Sequence, residues 1–321
     1  MNSERVLVVA PGVVSPFHLA CIYSLLSVEF PDSKIKLLVE QSDFWGRAII
    51  PKRYIDFGVN YFDLDLISSA DEFSAKNANH DFEKVVLIGV THISIKQYLR
   101  LSLNVSPLKL KCYTVEEGVG SYTFTFRRRL ANLIEEGVPF VKAISRLSFQ
   151  FSSLLFVEFL SNTKHFRLAH KPDKRYVDKL KLVFKHISEN SEFTGTIDLL
   201  FLSQPFKSIG FNESPCDYFL GAIERHESLP VMVKLHPAEM KSVDIKSIVE
   251  FDGCVEELFY SSGQSIRKVY GISSTSLYTM KILYGIETLR IVSSKYPPVS
   301  SNHTLELDIL LNKYANDFKI N

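Results

Sequence analysis

Two places in this chain have proton-moving side chains directly after an apolar run of strand length: Glu116-Glu117-Gly118 and His236-Pro237. Consecutive residues on an extended segment point to opposite sides, and two adjacent carboxylates are costly to bury together. One of Glu116 and Glu117 can therefore reach a ligand as a general base, while the other anchors a turn that Gly118 and Gly120 permit. Read alone, the same tripeptide is a solvated acidic turn; its place after Leu110–Val115 is what favours chemistry. His236 leaves the run Val231–Leu235 and is held by Pro237. An imidazole that titrates near neutrality can give a proton to a departing phosphate or pair with it. The plainer alternative is a histidine hydrogen-bonded inside its own loop.

Other polar residues also sit just beyond apolar runs. Ser273-Ser274-Thr275-Ser276 open a helical pattern, and hydroxyls beside the unpaired N–H groups of a first turn form an anion site. Capping by a single serine would need only one of the four. Ser15 before Pro16 reads as an N-cap with proline at the first helical position, which puts His18 one turn in, where it could touch a sugar. Gln204, after Ile197–Ser203, is either a ligand contact or a polar loop residue. Glu256 and Glu257 could accept from a ribose diol, or form a surface acidic pair.

These positions depend on the elements that would carry them. Short apolar runs at Val6–Ala10, Ile35–Val39, Lys84–Gly89 and Leu110–Val115 alternate with helical patterns such as Phe17–Val28 and Ile93–Leu103. The theme repeats at Ile197–Ser203, Val231–Leu235, Lys268–Ile272 and Thr288–Val292. Strands this apolar, separated by helices, predict α/β folding with parallel sheets covered on both faces. Ligands of such sheets bind beyond the carboxyl ends of the strands. The expected organisation is an N-terminal domain over 1–165 and a linker with a charged connecting helix, Lys174–Asn190, over 166–190. A C-terminal domain over 191–302 and a final helix, Leu305–Phe318, over 303–321 complete it.

Composition narrows the classes. A formal charge of +1 offers no bulk field for nucleic acid, and none is expected as a partner. The four cysteines lie far apart without a C-x-x-C pair, which fits a reducing cytoplasm and neither a zinc site nor a disulfide framework. The N-terminal run is strand-length rather than signal-length, and no uninterrupted apolar stretch is long enough to span a bilayer, so a cytoplasmic protein is expected. Residues 127–160 stand apart. Arg127-Arg128-Arg129, Lys142 and Arg146 accompany Phe149, Phe151, Phe156 and Phe159, the ingredients of a helix lying on the anionic inner face of a membrane. A pair of core helices with one charged face is the reading the sequence favours.

Together, Glu116-Glu117-Gly118, Lys234-Leu235-His236-Pro237 and Ser273-Ser274 resemble, in order and spacing, bacterial sialyltransferases of the GT-B fold. The resemblance is to glycosyltransferase family 52, the lipooligosaccharide sialyltransferases, and family 38, the capsular polysialyltransferases. Ser15-Pro16-Phe17-His18 and Leu202-Ser203-Gln204-Pro205 match further segments, although His18 stands where relatives often carry glutamine. The resemblance implies two Rossmann-like domains facing across a cleft, with the acceptor on the N-terminal one and CMP-sialic acid on the C-terminal one. It makes Glu116 the base, with Glu117 as fallback, and His236 the acid that also contacts the phosphate. Ser273 and Ser274 would hold that phosphate, with Gln204, Lys234, Pro237 and Glu257 lining the donor site and Ser15, His18 and Gly118 the acceptor site. It implies inverting transfer of sialic acid to a galactoside or sialoside of a capsule, O-antigen or lipooligosaccharide. No cofactor is expected, and no Asp-x-Asp segment is placed to hold a metal. The alternatives are a transferase using CMP-Kdo or a UDP-sugar, and an inactive sugar-binding assembly protein of the same fold.

Overall fold

The computed structural model describes residues 3–41, 50–68, 82–106, 108–116, 118, 125–169, 171–204, 206, 215–236, 239, 247–296 and 305–320. The chain divides into two compact units, residues 1–183 and 184–321, each built on its own parallel sheet.

The first unit runs β1 (Arg5–Val13), α1 (Pro16–Glu29), β2 (Lys34–Gln41), α2 (Lys52–Phe62), β3 (Leu64–Ile67), β4 (Lys84–Val90), α3 (Ile95–Ser102), β5 (Leu110–Val115), α4 (Phe126–Glu135), α5 (Phe140–Ser161) and β6 (Lys164–Phe166). Its strands lie in the order β3-β2-β1-β4-β5-β6, with every neighbouring pair parallel. The four strands expected from the apolar runs all form. Val6, Val8 and Ala10 are as deeply buried as Leu7 and Val9, as a strand covered on both faces requires. β1 also continues past its apolar run. Its register shifts between Ala10 and Val13, where Gly12 takes a φ of 73°, a bulge that turns the chain into α1.

α6 (Lys174–Ser188) begins in the first unit and ends in the second, so the division falls inside the helix expected to connect them. The second unit continues with β7 (Leu199–Leu202), α7 (Cys216–Glu227), β8 (Met232–Lys234), α8 (Val255–Ser261), β9 (Lys268–Gly271), α9 (Ser276–Tyr284), β10 (Glu287–Ser293), α10 (Leu305–Tyr314) and β11 (Asn316–Ile320). The strand order is β11-β10-β9-β7-β8, again all parallel. One face of this sheet packs Phe201, Val233 and Tyr270 against Phe219 and Ile223 of α7. The final helix stops at Tyr314 rather than Phe318, and the chain ends in a strand. Phe318 and Ile320 alternate with Asp317 and Lys319, a period of two that packs β11 beside β10.

Each sheet reverses its strand order once: between β1 and β4 in the first, and between β7 and β9 in the second. Side chains at the carboxyl ends of those strands flank the switch points where open α/β sheets bind ligands.

Candidate functional site

In the second unit the loops after β7, β8 and β9 are tied together by side chains. Ser273, beyond β9, donates its hydroxyl to Gln204 Oε1 beyond β7 at 2.9 Å, a bridge across the switch point. Gln204 is buried, and its carboxamide NH2 supplies donors that the serine does not occupy. Ser203 donates its hydroxyl to Glu239 Oε1 at 2.7 Å, and Glu239 Oε2 accepts from the backbone N–H of His236 at 2.9 Å. Glu239 thus closes the turn that carries His236 and fastens it to the end of β7. Burial raises the Glu239 carboxyl above its ordinary range, against the pull of those two hydrogen bonds.

His236 does not titrate where a free imidazole would. Burial, and then the nearby Lys234 ammonium, lower it from 6.5 to about 4. The expectation of a histidine poised near neutrality is therefore corrected: the ring is neutral at pH 7 in the protein without ligand, because desolvation and a like charge both oppose the cation. A negative charge brought beside the ring would oppose both effects. Lys234 Nζ donates to the Phe251 carbonyl at 2.8 Å and lies over that residue's ring. Its pKa is lowered by burial, while Cys254, Glu257, Asp252 and Glu256 act in the opposite direction.

The surface acidic pair at 256–257 is also corrected. Glu256 and Glu257 are 2% and 0% exposed on α8. Glu256 accepts from the Thr279 hydroxyl, and its carbonyl accepts from Tyr284 Oη at 2.9 Å, which clamps α8 to α9. The hydroxyl run is divided too. α9 starts at Ser276, so Ser273 and Ser274 lie in the loop before it, and Ser274 Oγ accepts from the Ser276 N–H at 3.3 Å. Thr275, at the N-cap position, makes no side-chain cap bond, and the first-turn N–H groups of Leu277 and Tyr278 donate to the Ser274 and Thr275 carbonyls, each at 3.1 Å. Pro237 and Glu117 lie outside the described residues.

The first unit places Ser15, His18, Glu116 and Gly118 at its own strand ends. Ser15 caps α1 as expected, accepting from the His18 N–H at 3.2 Å. His18 itself is buried at 3% exposure, with Nδ1 accepting a long 3.4 Å contact from the Val14 N–H. Glu116 is fully enclosed, and Oε2 accepts from the Leu168 backbone N–H at 2.5 Å. Two residues earlier, on the same face of β5, Thr114 pairs with His165 Nδ1 at 2.7 Å. β5 therefore holds the segment around β6 by two successive polar side chains. Gly118 takes a φ of 110°, the freedom for which glycine was expected there.

Three further residues occupy these strand ends without a motif that marks them as a site. Glu239 carries a readable signal, an acid three residues beyond the histidine whose N–H it accepts, the spacing of a capping box. Thr91 and His92 follow β4 at the switch point of the first sheet. Thr91 holds a φ of 68°, unusual for a β-branched residue, and its N–H donates to the Val115 carbonyl at 3.1 Å, beside Glu116. A Cβ on Gly89 would meet the His92 carbonyl oxygen at 2.2 Å, so this close return of the chain needs glycine. Among the described residues, no group of three or more His, Cys, Asp or Glu could hold a metal ion.

Solved structures similar to the chain include a 2,6-sialyltransferase of Photobacterium sp. JT-ISH-224 in complex with CMP and lactose. It is 10% identical, covers 98% of this chain and 78% of its own, and has a TM-score of 0.47. CalG4, the calicheamicin glycosyltransferase, gives 11% identity, 99% and 86% coverage and a TM-score of 0.47. The E. coli heptosyltransferase WaaC with ADP gives 10%, 99% and 94%, and 0.44. At these scores the likenesses bear on neither substrate nor mechanism. No curated protein matches the chain. The alpha-2,8-polysialyltransferase family (POLYST) matches residues 33–293, most of the sequence, and the chain belongs to that family of sialyltransferases.

Proposed function

We propose that this sialyltransferase takes CMP-sialic acid as donor and transfers the sugar, with inversion and without a metal, to a galactoside or sialoside hydroxyl of a bacterial capsule, O-antigen or lipooligosaccharide. The observation that carries the reading is the bridge from Ser273 to Gln204 across the switch point of the second sheet, with the His236 turn fastened beside it. Hydroxyls and an amide beside the positive end of α9 are suited to a nucleoside monophosphate, whose charge is lower than that of a nucleoside diphosphate. Phosphate binding restores the His236 proton, and His236 then passes it to the departing CMP oxygen. Glu116 takes the proton of the acceptor hydroxyl as that oxygen attacks the anomeric carbon and the bond to CMP breaks. Lys234, Glu257 and Pro237 line the nucleotide side in this reading, Ser274 joins Ser273 at the phosphate, and Ser15, His18 and Gly118 shape the acceptor side. The enzyme works in the cytoplasm, where four cysteines without a disulfide are at home.

The experiment offers the protein CMP-sialic acid, CMP-Kdo and a UDP-sugar, each with galactoside and oligosialoside acceptors, with and without EDTA. Nucleotide release is the readout. CMP should appear from CMP-sialic acid and persist in EDTA. Turnover confined to either other donor would overturn the donor, and loss in EDTA would overturn the metal-free mechanism.

A further inference from the structure

α5 is the one described helix long and apolar enough to cross a membrane by length and composition. At 22 residues it is about 33 Å long. Its inward side, Ala143, Leu147, Ser153 and Val157, is buried, and the helix packs against α3, α4 and β5. That side is committed to the fold, so α5 does not traverse a bilayer by itself.

The opposite side is a strip at helical spacing: Val141, Ser145, Phe149, Ser152, Phe156 and Phe159, all exposed and none charged. Phe149 is 73% and Phe159 86% exposed. Soluble surfaces rarely leave a contiguous apolar patch of this kind uncovered. Its charged borders indicate what covers it. Lys142 and Arg146 are exposed along the first half of the helix, and Arg127 is exposed on α4, which packs against it. Residues 126–161 carry five basic side chains against three acidic ones in a chain of net charge +1. An apolar strip with cationic borders complements an anionic lipid surface, where aromatic rings enter the acyl boundary and basic side chains meet head groups.

We infer that α5 lies flat on an anionic membrane surface with Phe149, Phe156 and Phe159 inserted, and so holds the enzyme at a lipid face. This rests on α5 and α4 alone and is independent of the donor reading.

Flotation of the full chain with vesicles of phosphatidylglycerol and phosphatidylcholine, against phosphatidylcholine alone, tests it. The protein should partition at least tenfold more strongly to the anionic vesicles. The triple variant Phe149→Ser, Phe156→Ser, Phe159→Ser should lose at least tenfold of that binding. Lys142→Gln with Arg146→Gln should lose roughly fivefold per charge and flatten the salt dependence. Both variants should keep wild-type CMP release toward a soluble acceptor, which separates failure of docking from failure of catalysis. Phe149→Trp, a change in size alone at an exposed site, adds a readout that does not need the serine variants to fold: its fluorescence should shift to the blue on adding anionic vesicles. Wild-type flotation by a folded triple-serine variant, or no blue shift, would overturn the inference. So would a concentration-dependent dimer that the triple variant abolishes, because the strip would then belong to a second copy of the chain.

Discussion

Beyond β7, β8 and β9 two hydrogen bonds join side chains of different loops, from Ser273 to Gln204 and from Ser203 to Glu239, and Glu239 also accepts from the His236 N–H. Beyond β5 in the first unit, the Glu116 carboxylate is instead matched to a backbone N–H, that of Leu168. A side-chain network of hydroxyl, amide and carboxylate leaves further donors and lone pairs that a ligand can use, and it fixes them before the ligand arrives. A sealed carboxylate on a backbone donor first of all fixes the path of the chain. In the proposed mechanism the contrast separates a prebuilt phosphate site from a base that must also serve as an anchor.

The largest expected effect is on turnover. His236→Ala should lower kcat by about 10²–10⁴, the usual contribution of a positioned acid, with a melting temperature near wild type. Glu116→Gln should fall by a similar factor while keeping the fold, because the amide still accepts from Leu168. Glu116→Ala should lose both turnover and stability. If Glu116→Gln keeps its rate and only Glu116→Ala melts early, Glu116 is the anchor alone and the base role passes to Glu117.

Next comes Glu239→Ala, which strips a charged partner from Ser203 and from the His236 N–H; about 2–3 kcal/mol of stability should be lost in urea titrations. Ser273→Ala and Gln204→Ala should each weaken CMP binding by about 1 kcal/mol, and less than additively together, because they share one bridge. A separate effect is on stability against pH. The folded His236 binds its proton at about 4, below its unfolded value of 6.5. The unfolded chain therefore takes up the proton first, and stability from this group, full above 6.5, falls as the pH drops toward 4. His236→Gln should show a shallower decline over that window.

Much of this was legible in the sequence, for identifiable reasons. Doubly covered strands announce themselves as apolar runs, so β4 and β5 match their runs to within a residue and β1 overruns its own mainly at the bulge; Glu116 leaves β5 where its run ends, and Gln204, His236 and Ser273 follow the runs of β7, β8 and β9. β6 was hidden because Lys164 and His165 face solvent on an edge strand, and β11 because its period of two follows a helix without a break. Burial of polar groups left no trace either. Glu256 and Glu257 read as surface acids until α9 is packed over them, and His236 reads as neutral-titrating until Lys234 and desolvation are counted. Thr91 was invisible because backbone strain at a switch point has no composition.

In the proposed function the carboxyl ends of the second sheet's strands receive a nucleoside monophosphate. Calorimetric titration with CMP at pH 6, in two buffers of different ionisation enthalpy, tests it most directly. Wild type should bind with proton uptake, and His236→Gln should bind more weakly with that uptake lost. Binding with the same proton uptake in both proteins, or no binding by wild type, would contradict it.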